Sequence, residues 1–302
     1  MTSTTYDVDI LMIGHFAMDR NVVDGRGEVA SGGGVYFGSM ALRQLGVRVA
    51  VVTRLHPDDF WRLEEMEQAG VRVYASAATE TSGIANYYSS ADMERRVCEP
   101  LGFAGPFTPG EIPPLKARIY MVASIIAGEV DLPLLKELAL RGPVAIDVQG
   151  FVRVREGCDL VFHPWPDMAE GLAHVTYLKT DKAEAELLTG QTDLREAARS
   201  LAEYGPREIV LTESSGVTVY AGGEFHHAPF TPSVLKGRTG RGDTCFSTYL
   251  GRRLIGTAEE ATRLAGAVTT LKQEQPGPWR GTLADAQLLM ARQRAREDSQ
   301  AG

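Results

Sequence analysis

A chain of 302 residues with 44% hydrophobic content can bury a substantial core, in one large domain with or without a small appendage. A formal charge of −8 and a pI near 5.4, with no long lysine or arginine run, argue against nonspecific attraction to nucleic acid or to an anionic membrane and point to a small partner. Cys98, Cys158 and Cys245 are scattered, odd in number and without a CxxC pair, which argues against a disulfide framework and a zinc site. The opening MTSTTYDVDILMIGH lacks a cationic start, and its apolar part of about five residues is too short for a signal or a membrane span, so a reducing cytoplasm is expected.

Along the chain, short apolar runs rich in valine and isoleucine predict strands at 8–15, 47–55, 118–124, 144–150, 175–181 and 208–214. Helical spacing fills most of the gaps, at 35–45, 58–70, 132–142 and 194–205. Continuously apolar strands alternating with helices predict an α/β fold whose mainly parallel sheet is covered on both faces. Two regions break the rhythm: 20–31 and 71–100 carry polar, alternating, strand-like pieces without an intervening helix, the pattern of an antiparallel flap over a site. The stretch 216–230 predicts a hairpin turning at Ala221, Gly222 and Gly223. Two helices separated by PGPWRG close the chain, with a polar tail after about residue 296.

The segment GRTGRGDTCFSTYL (237–250) places glycines and two arginines ahead of an aspartate at a helix start. Gly240, Gly242 and the first helical turn would present backbone N–H groups at the positive end of a helix dipole, a cradle for an anion. Arg238 and Arg241 can add charge-assisted contacts to phosphate oxygens. A carboxylate in such a cradle repels the ligand unless it has chemistry to perform. In phosphoryl transfer Asp243 would accept the proton of an attacking hydroxyl while the N–H groups stabilise the transferring group. The competing reading of a bare GxGD is a capped helix preceded by a turn.

With its surroundings this segment resembles the signature of the ribokinase (PfkB) family of carbohydrate and nucleoside kinases, and further motifs follow the family's order over nearly the whole chain. GHFAMDR sets Asp19 where the family binds substrate hydroxyls, and GGGVYFGSMALRQLG is similar to its second signature. DVQGFVR (147–153) parallels a D-x-N-x-x-R segment, and DKAEAELLTG (181–190) parallels the N-x-x-E motif. The resemblance implies a ribokinase-like three-layer αβα fold in a single domain over 1–302, with a small β lid formed by about 16–31 and 71–100. It also implies Mg-ATP as donor and an alcohol as acceptor. Asp243 takes the base position, and Gly240, Arg241 and Gly242 the anion hole. Asp181 and Glu184 would organise Mg2+ through water, a hard ion favouring oxygen ligands; an acidic helix start is the plain alternative.

Asp19, Gly32, Gly33, Phe37, Gln149 and Arg153 fall at the acceptor side. Phe37 stands where many sugar kinases carry an asparagine, offering an apolar face or simply core, and Arg153 could equally pair with a surface carboxylate. Arg238, Thr212, Ser214 and Gly277 fall at the nucleotide side, with Leu264 to Lys272 as the adenine wall. Gly237 and Arg238 replace the family's aspartate and threonine, which argues against a monovalent-cation requirement. GGGVYFGSM, DVQGFVRV, GRTGRGDTC and PGPWR together resemble a microbial branch that includes inositol kinases, so a cyclitol such as myo-inositol is the expected acceptor. A nucleoside kinase, with Tyr87 or Tyr88 stacking on the base, and a non-catalytic nucleotide or sugar sensor are the alternatives. Lid strands of this kind can pair across a homodimer.

Overall fold

The structure, a computed structural model, describes residues 5–89 and 92–301. Fifteen strands are described: β1 Val8–Ile13, β2 Ala17–Val23, β3 Arg26–Gly32, β4 Val49–Leu55, β5 Arg72–Ala77, β6 Gly83–Ser89, β7 Asp92–Gly102, β8 Ala117–Val122, β9 Val144–Asp147, β10 Arg153–Glu156, β11 Asp159–Phe162, β12 Tyr177–Asp181, β13 Glu208–Thr212, β14 Gly216–Ala221 and β15 Glu224–Pro229. The helices are α1 Gly34–Gln44, α2 Glu64–Gln68, α3 Leu132–Arg141, α4 Gln149–Val152, α5 Met168–Leu172, α6 Lys182–Thr189, α7 Leu194–Ala202, α8 Arg241–Arg253, α9 Ala258–Gln273 and α10 Leu283–Ala301.

Nine strands form the main sheet in the order β15-β14-β13-β12-β9-β8-β1-β4-β5. From β13 to β5 every pairing is parallel, and only the hairpin β14/β15 adds antiparallel edges. All six strands expected from apolar runs are in this sheet. Ile10 and Met12 pack with residues of α1 and α8, whereas Leu11 and Ile13 pack with residues of α3 and α7. Period-2 alternation therefore sends one strand into two helical layers, and the fold is the three-layer αβα arrangement.

A second sheet, in the order β3-β2-β6-β7, is built from the polar, alternating stretches. Its boundary differs from expectation: Arg72–Ala77 continues the main sheet beside β4, with Val51 opposite Val73, so the small sheet takes from this region only β6 and β7. The alternation of VRVYASA suits an edge strand with one wet face equally well, which is why its pattern was ambiguous. The helix expected over 58–70 is also divided, into a 3-10 helix Pro57–Leu63 and α2. There His56 Nδ1 accepts the Asp58 N–H, and Thr81 holds the Asp59 carboxylate. The hairpin β10/β11 was not anticipated; it lies beside β7. No described helix is long and apolar enough to cross a membrane.

Candidate active site

Two helix N-termini meet at the carboxyl ends of the parallel strands. One opens α1 after the glycines that follow β3; the other opens α8 after the loop 237–240, and the two helices pack on each other. A Cβ at Gly34 would lie 3.0 Å from Asp243 Oδ1 and 2.7 Å from Ala123 O, so only glycine lets the start of α1 approach the carboxylate. Gly240 is the N-cap of α8 at φ 81, in the left-handed region, and a Cβ there would lie 2.2 Å from Phe37 Cγ. Phe37 is core: its ring meets Tyr36 at 5.3 Å and supports the cradle from beneath.

A cleft of about 810 Å³ runs along this junction. Of the residues expected at the site, Asp243, Gly240, Arg241, Gly242, Arg238, Thr212, Asp181, Gln149 and Arg153 line it. An adjoining recess is lined by Asp19, Gly33, Phe37, Gln149, Arg153, Gly240 and Asp243, with Ile84, Asn86, Ile125 and Thr239. Asp19 is buried; its Oδ1 accepts the Ile84 N–H at 3.0 Å, and Gly32 lies so close that a Cβ would stand 2.3 Å from Oδ2. Arg153 Nη2 donates to Gln149 Oε1 at 2.8 Å, and the guanidinium lies 5.7 Å from the Phe162 ring centroid. Glu184 is buried behind this wall. Ser214 is exposed beyond β13, and Gly277 lies beside Arg280; neither lines the cleft. Tyr87 lines the outer wall, while the Tyr88 side chain falls outside the described residues.

Burial and the neighbouring Asp147 carboxylate push Asp243 up to about 6, against the pull of Lys179, Arg153 and Lys272. A base poised near neutrality is suited to accept a hydroxyl proton. Lys179, in the middle of β12, is buried. Burial alone would lower its pKa, but the Asp147, Glu184 and Asp181 carboxylates raise it overall, so it stays an ammonium. Its Nζ stands 3.0 Å from Asp147 Oδ2 and 3.8 Å from Glu184 Oε2, and a Cβ at Gly242 would lie 3.3 Å from it. A fixed cation thus sits against the glycine loop that opens α8.

Asp181 and Glu184 form a capping box on α6: Glu184 N–H donates to Asp181 Oδ1 at 2.9 Å, and Asp181 N–H to Glu184 Oε2 at 2.8 Å. The second oxygen of Glu184, Oε1, is buried without a partner, and burial pushes the group up to about 7. An orphaned carboxylate oxygen fits a role in accepting a hydrogen bond from a water of a hydrated divalent cation. Among the described residues no cluster of three metal-ligating side chains exists.

Sequence reading missed the acidic hub under the recess. Glu129 is fully buried and accepts from His15 N–H at 2.9 Å and from the Ile125 and Ile126 N–H groups at 2.6 and 2.9 Å. It fixes the Ile125 wall to the end of β1. It also missed Lys179 and Asn86, whose Nδ2 donates to Asn21 Oδ1 at 3.2 Å, and it gave Lys272 only as the end of the adenine wall, whereas Lys272 Nζ donates to Gly237 O and Thr239 O. Asn86 lay within a strand whose register the sequence alone does not set.

The family model described as pfkB family carbohydrate kinase matches residues 8–281. A solved pyrophosphate-dependent kinase in the ribokinase family, complexed with a pyrophosphate analogue and myo-inositol, is 35% identical, with 93% of this chain and 99% of that chain covered and a TM-score of 0.85. The cytidine kinase of Thermococcus kodakarensis is 26% identical over 278 residues, which are 85% of this chain and 93% of that protein. Ribokinase of Arabidopsis thaliana, solved with ribose and ATP, shares the fold at 18% identity and a TM-score of 0.74, over 94% of this chain and 98% of its own. A match over nearly the full length, on a chain whose cleft joins a glycine cradle to a half-buried aspartate, makes it a phosphotransferase with a hydroxyl acceptor: the chain belongs to the pfkB family of carbohydrate kinases.

Proposed function

We propose that the protein transfers a phosphoryl group to one hydroxyl of a cyclitol such as myo-inositol, and that its donor is inorganic pyrophosphate. The recess carries the acceptor half of this reading. Asp19, Asn86, Gln149 and Arg153 supply acceptors and donors, while Phe37, Ile84 and Ile125 supply an apolar surface, all beside Asp243. A ring with hydroxyls around its rim and C–H bonds on its faces suits such a wall. The relative solved with myo-inositol supports the same class.

The donor half rests on where the cleft ends. Arg238, Arg241 and Lys179 surround Gly240–Gly242, but the residues expected to hold a base do not border the cleft. Leu264, Ala265, Ala267 and Val268 are buried in the core, Val268 with Trp279, and a Cβ at Gly266 would lie 2.6 Å from Ala228 Cβ. Three cationic side chains beside the Gly240–Gly242 N–H groups, with none of the residues expected to hold a base along the described cleft, favour a compact inorganic anion over ATP. ATP is the second reading, supported by Thr212, which still reaches the cleft.

In the reaction Asp243 takes the hydroxyl proton as the acceptor oxygen bonds to phosphorus. The bridging P–O bond breaks toward the departing phosphate, and the N–H groups at Gly240–Gly242 with Arg241 stabilise the charge of the transferring group. A divalent cation bound with the donor would neutralise phosphate charge, its waters held by Asp181 and Glu184. The small sheet acts as a lid over the acceptor. Its exposed Val29, Val97 and Leu101 support a homodimer through that surface. A nucleoside acceptor is the runner-up, supported by Tyr87 at the cleft wall and by the cytidine kinase relative.

The test is 31P NMR of reactions offering pyrophosphate or Mg-ATP with inositols, pentoses, hexoses and nucleosides. A phosphomonoester of an inositol formed from pyrophosphate is the expected product. Product from Mg-ATP alone reverses the donor assignment, and phosphorylation of nucleosides alone reverses the acceptor assignment.

A further inference from the structure

Lys272 lies in the last turn of α9, yet its side chain is only 1% exposed. A buried ammonium is costly unless its protons are all taken up. Here they meet backbone oxygens: Nζ donates to Gly237 O at 2.7 Å and to Thr239 O, and it stands 5.2 Å from the centroid of the Phe37 ring. Two carbonyl oxygens and an aromatic face are the surroundings of a dehydrated monovalent cation.

The loop gripped in this way is the one that opens α8. Lys236 and Gly237 both donate their N–H groups to Gln273 O, at 2.8 and 2.9 Å, which lays the chain flat on the end of α9. The fit is close enough that a Cβ at Gly237 would stand 1.7 Å from Gln275 O. Two residues later Thr239 O turns inward to the same ammonium. In a trans peptide the C=O and N–H point in opposite directions, so an inward Thr239 O sends the Gly240 N–H outward, into the cleft that Gly240 lines. Lys272 thereby sets the direction of the first donor of the anion cradle without touching the ligand.

We propose that Lys272 is the positioning residue of the anion cradle and a tethered replacement for a monovalent cation, so that phosphate binding and transfer need no dissolved potassium or sodium. This rests on Gly240–Gly242 being the phosphate site. Burial pulls Lys272 down to about 7; Asp243 opposes the fall and Arg241 adds to it. An anion arriving in the cradle restores the charge.

The experiment is calorimetric titration of the full chain with inorganic pyrophosphate in choline, sodium and potassium chloride at equal ionic strength, with Mg-ATP as a second probe. For the wild type the affinity should agree within about twofold across the three salts. Lys272→Met keeps the length and loses the charge. It should lose at least about tenfold in affinity in choline and recover most of it when ammonium or potassium ions are added. Recovery by a free cation is a response that mere loss of packing would not give. A wild type that needs potassium for tight binding overturns the proposal, as does a folded Lys272→Met that binds normally in choline or that no cation repairs. If Lys272→Met does not fold, the wild-type salt series decides. A wild type that binds neither probe in any salt removes the phosphate-site reading itself and this proposal with it, whereas potassium dependence removes the proposal alone.

Discussion

Asp147 raises the pKa of Asp243: the two acids line one cleft, and burial followed by this like charge pushes Asp243 up to about 6. A base must be deprotonated to act, so kcat/KM should rise with pH through about 6 and then level. Asp147→Asn removes the repelling charge and also frees Lys179 Nζ, now held at 3.0 Å by Asp147 Oδ2. Both changes favour the ionised form of Asp243. The acid limb should therefore move to lower pH in Asp147→Asn, as read from kcat/KM profiles; a limb that stays in place would mean that another group sets it.

Asp243→Asn tests the base itself. The amide keeps the size of the side chain but cannot take a proton, so kcat should fall by about a thousandfold. Pyrophosphate affinity should be kept or improved, because a negative group has left an anion cradle. An unchanged kcat in single-turnover measurements would discard the role of Asp243.

The parts of the site that were legible in the sequence are those written locally. Gly240, Arg241, Gly242 and Asp243 are adjacent in the chain, and a glycine loop ahead of a helix start carries its own physics. The Asp181 and Glu184 spacing likewise encodes a capping box. Lys272 had no such signature: its partners are 33 and 35 residues away, and a lysine in the last turn of a helix ordinarily reads as a solvated charge. Glu129 meets His15 across 114 residues, and Asn21 meets Asn86 across 65. In the fold, apolar strands were readable because parallel strands are buried on both faces. The edge strand β5 and the hairpin β10/β11 are half wet, and their short alternation is shared by lid strands. VRVREGCDLVF did carry a hairpin signal, alternation interrupted at Gly157 and Cys158, that could have been found.

Glu184 would link stability to the divalent cation of the proposed reaction. Burial raises its carboxyl from 4.5 to about 7 in the folded chain. Between these values the folded state holds a proton that the unfolded state has released, so this group's contribution to stability falls as pH rises from about 4.5 to 7. Glu184→Gln removes the dependence. The variant should match or exceed the wild type in Tm at about pH 8 and lose that advantage toward about pH 5. Mg2+ with pyrophosphate should raise the wild-type Tm at the higher pH and raise the Glu184→Gln Tm less. A Glu184→Gln protein with an undiminished Mg2+ response would remove Glu184 from the cation's shell.

Gly240 gives the most demanding prediction, because two independent costs meet there. Its φ of 81 lies in the left-handed region, where alanine loses roughly 1–2 kcal/mol, and the new Cβ would be 2.2–2.5 Å from Cγ, Cδ1 and Cδ2 of Phe37. Overpacking of this kind costs about 1–3 kcal/mol more. Gly240→Ala should thus be destabilised by about 2–5 kcal/mol in denaturant unfolding, and Phe37→Ala by about 3–5 for its lost core ring. In the double variant the ring that collides with the Cβ is gone, so the combined loss should fall short of the sum by at least about 1 kcal/mol. The backbone cost is not relieved, and the peptide that aims the Gly240 N–H stays disturbed. Pyrophosphate affinity should therefore remain low in the double variant even where stability returns. Simple additivity of the two losses would mean that the loop moves away from Phe37 when alanine is introduced.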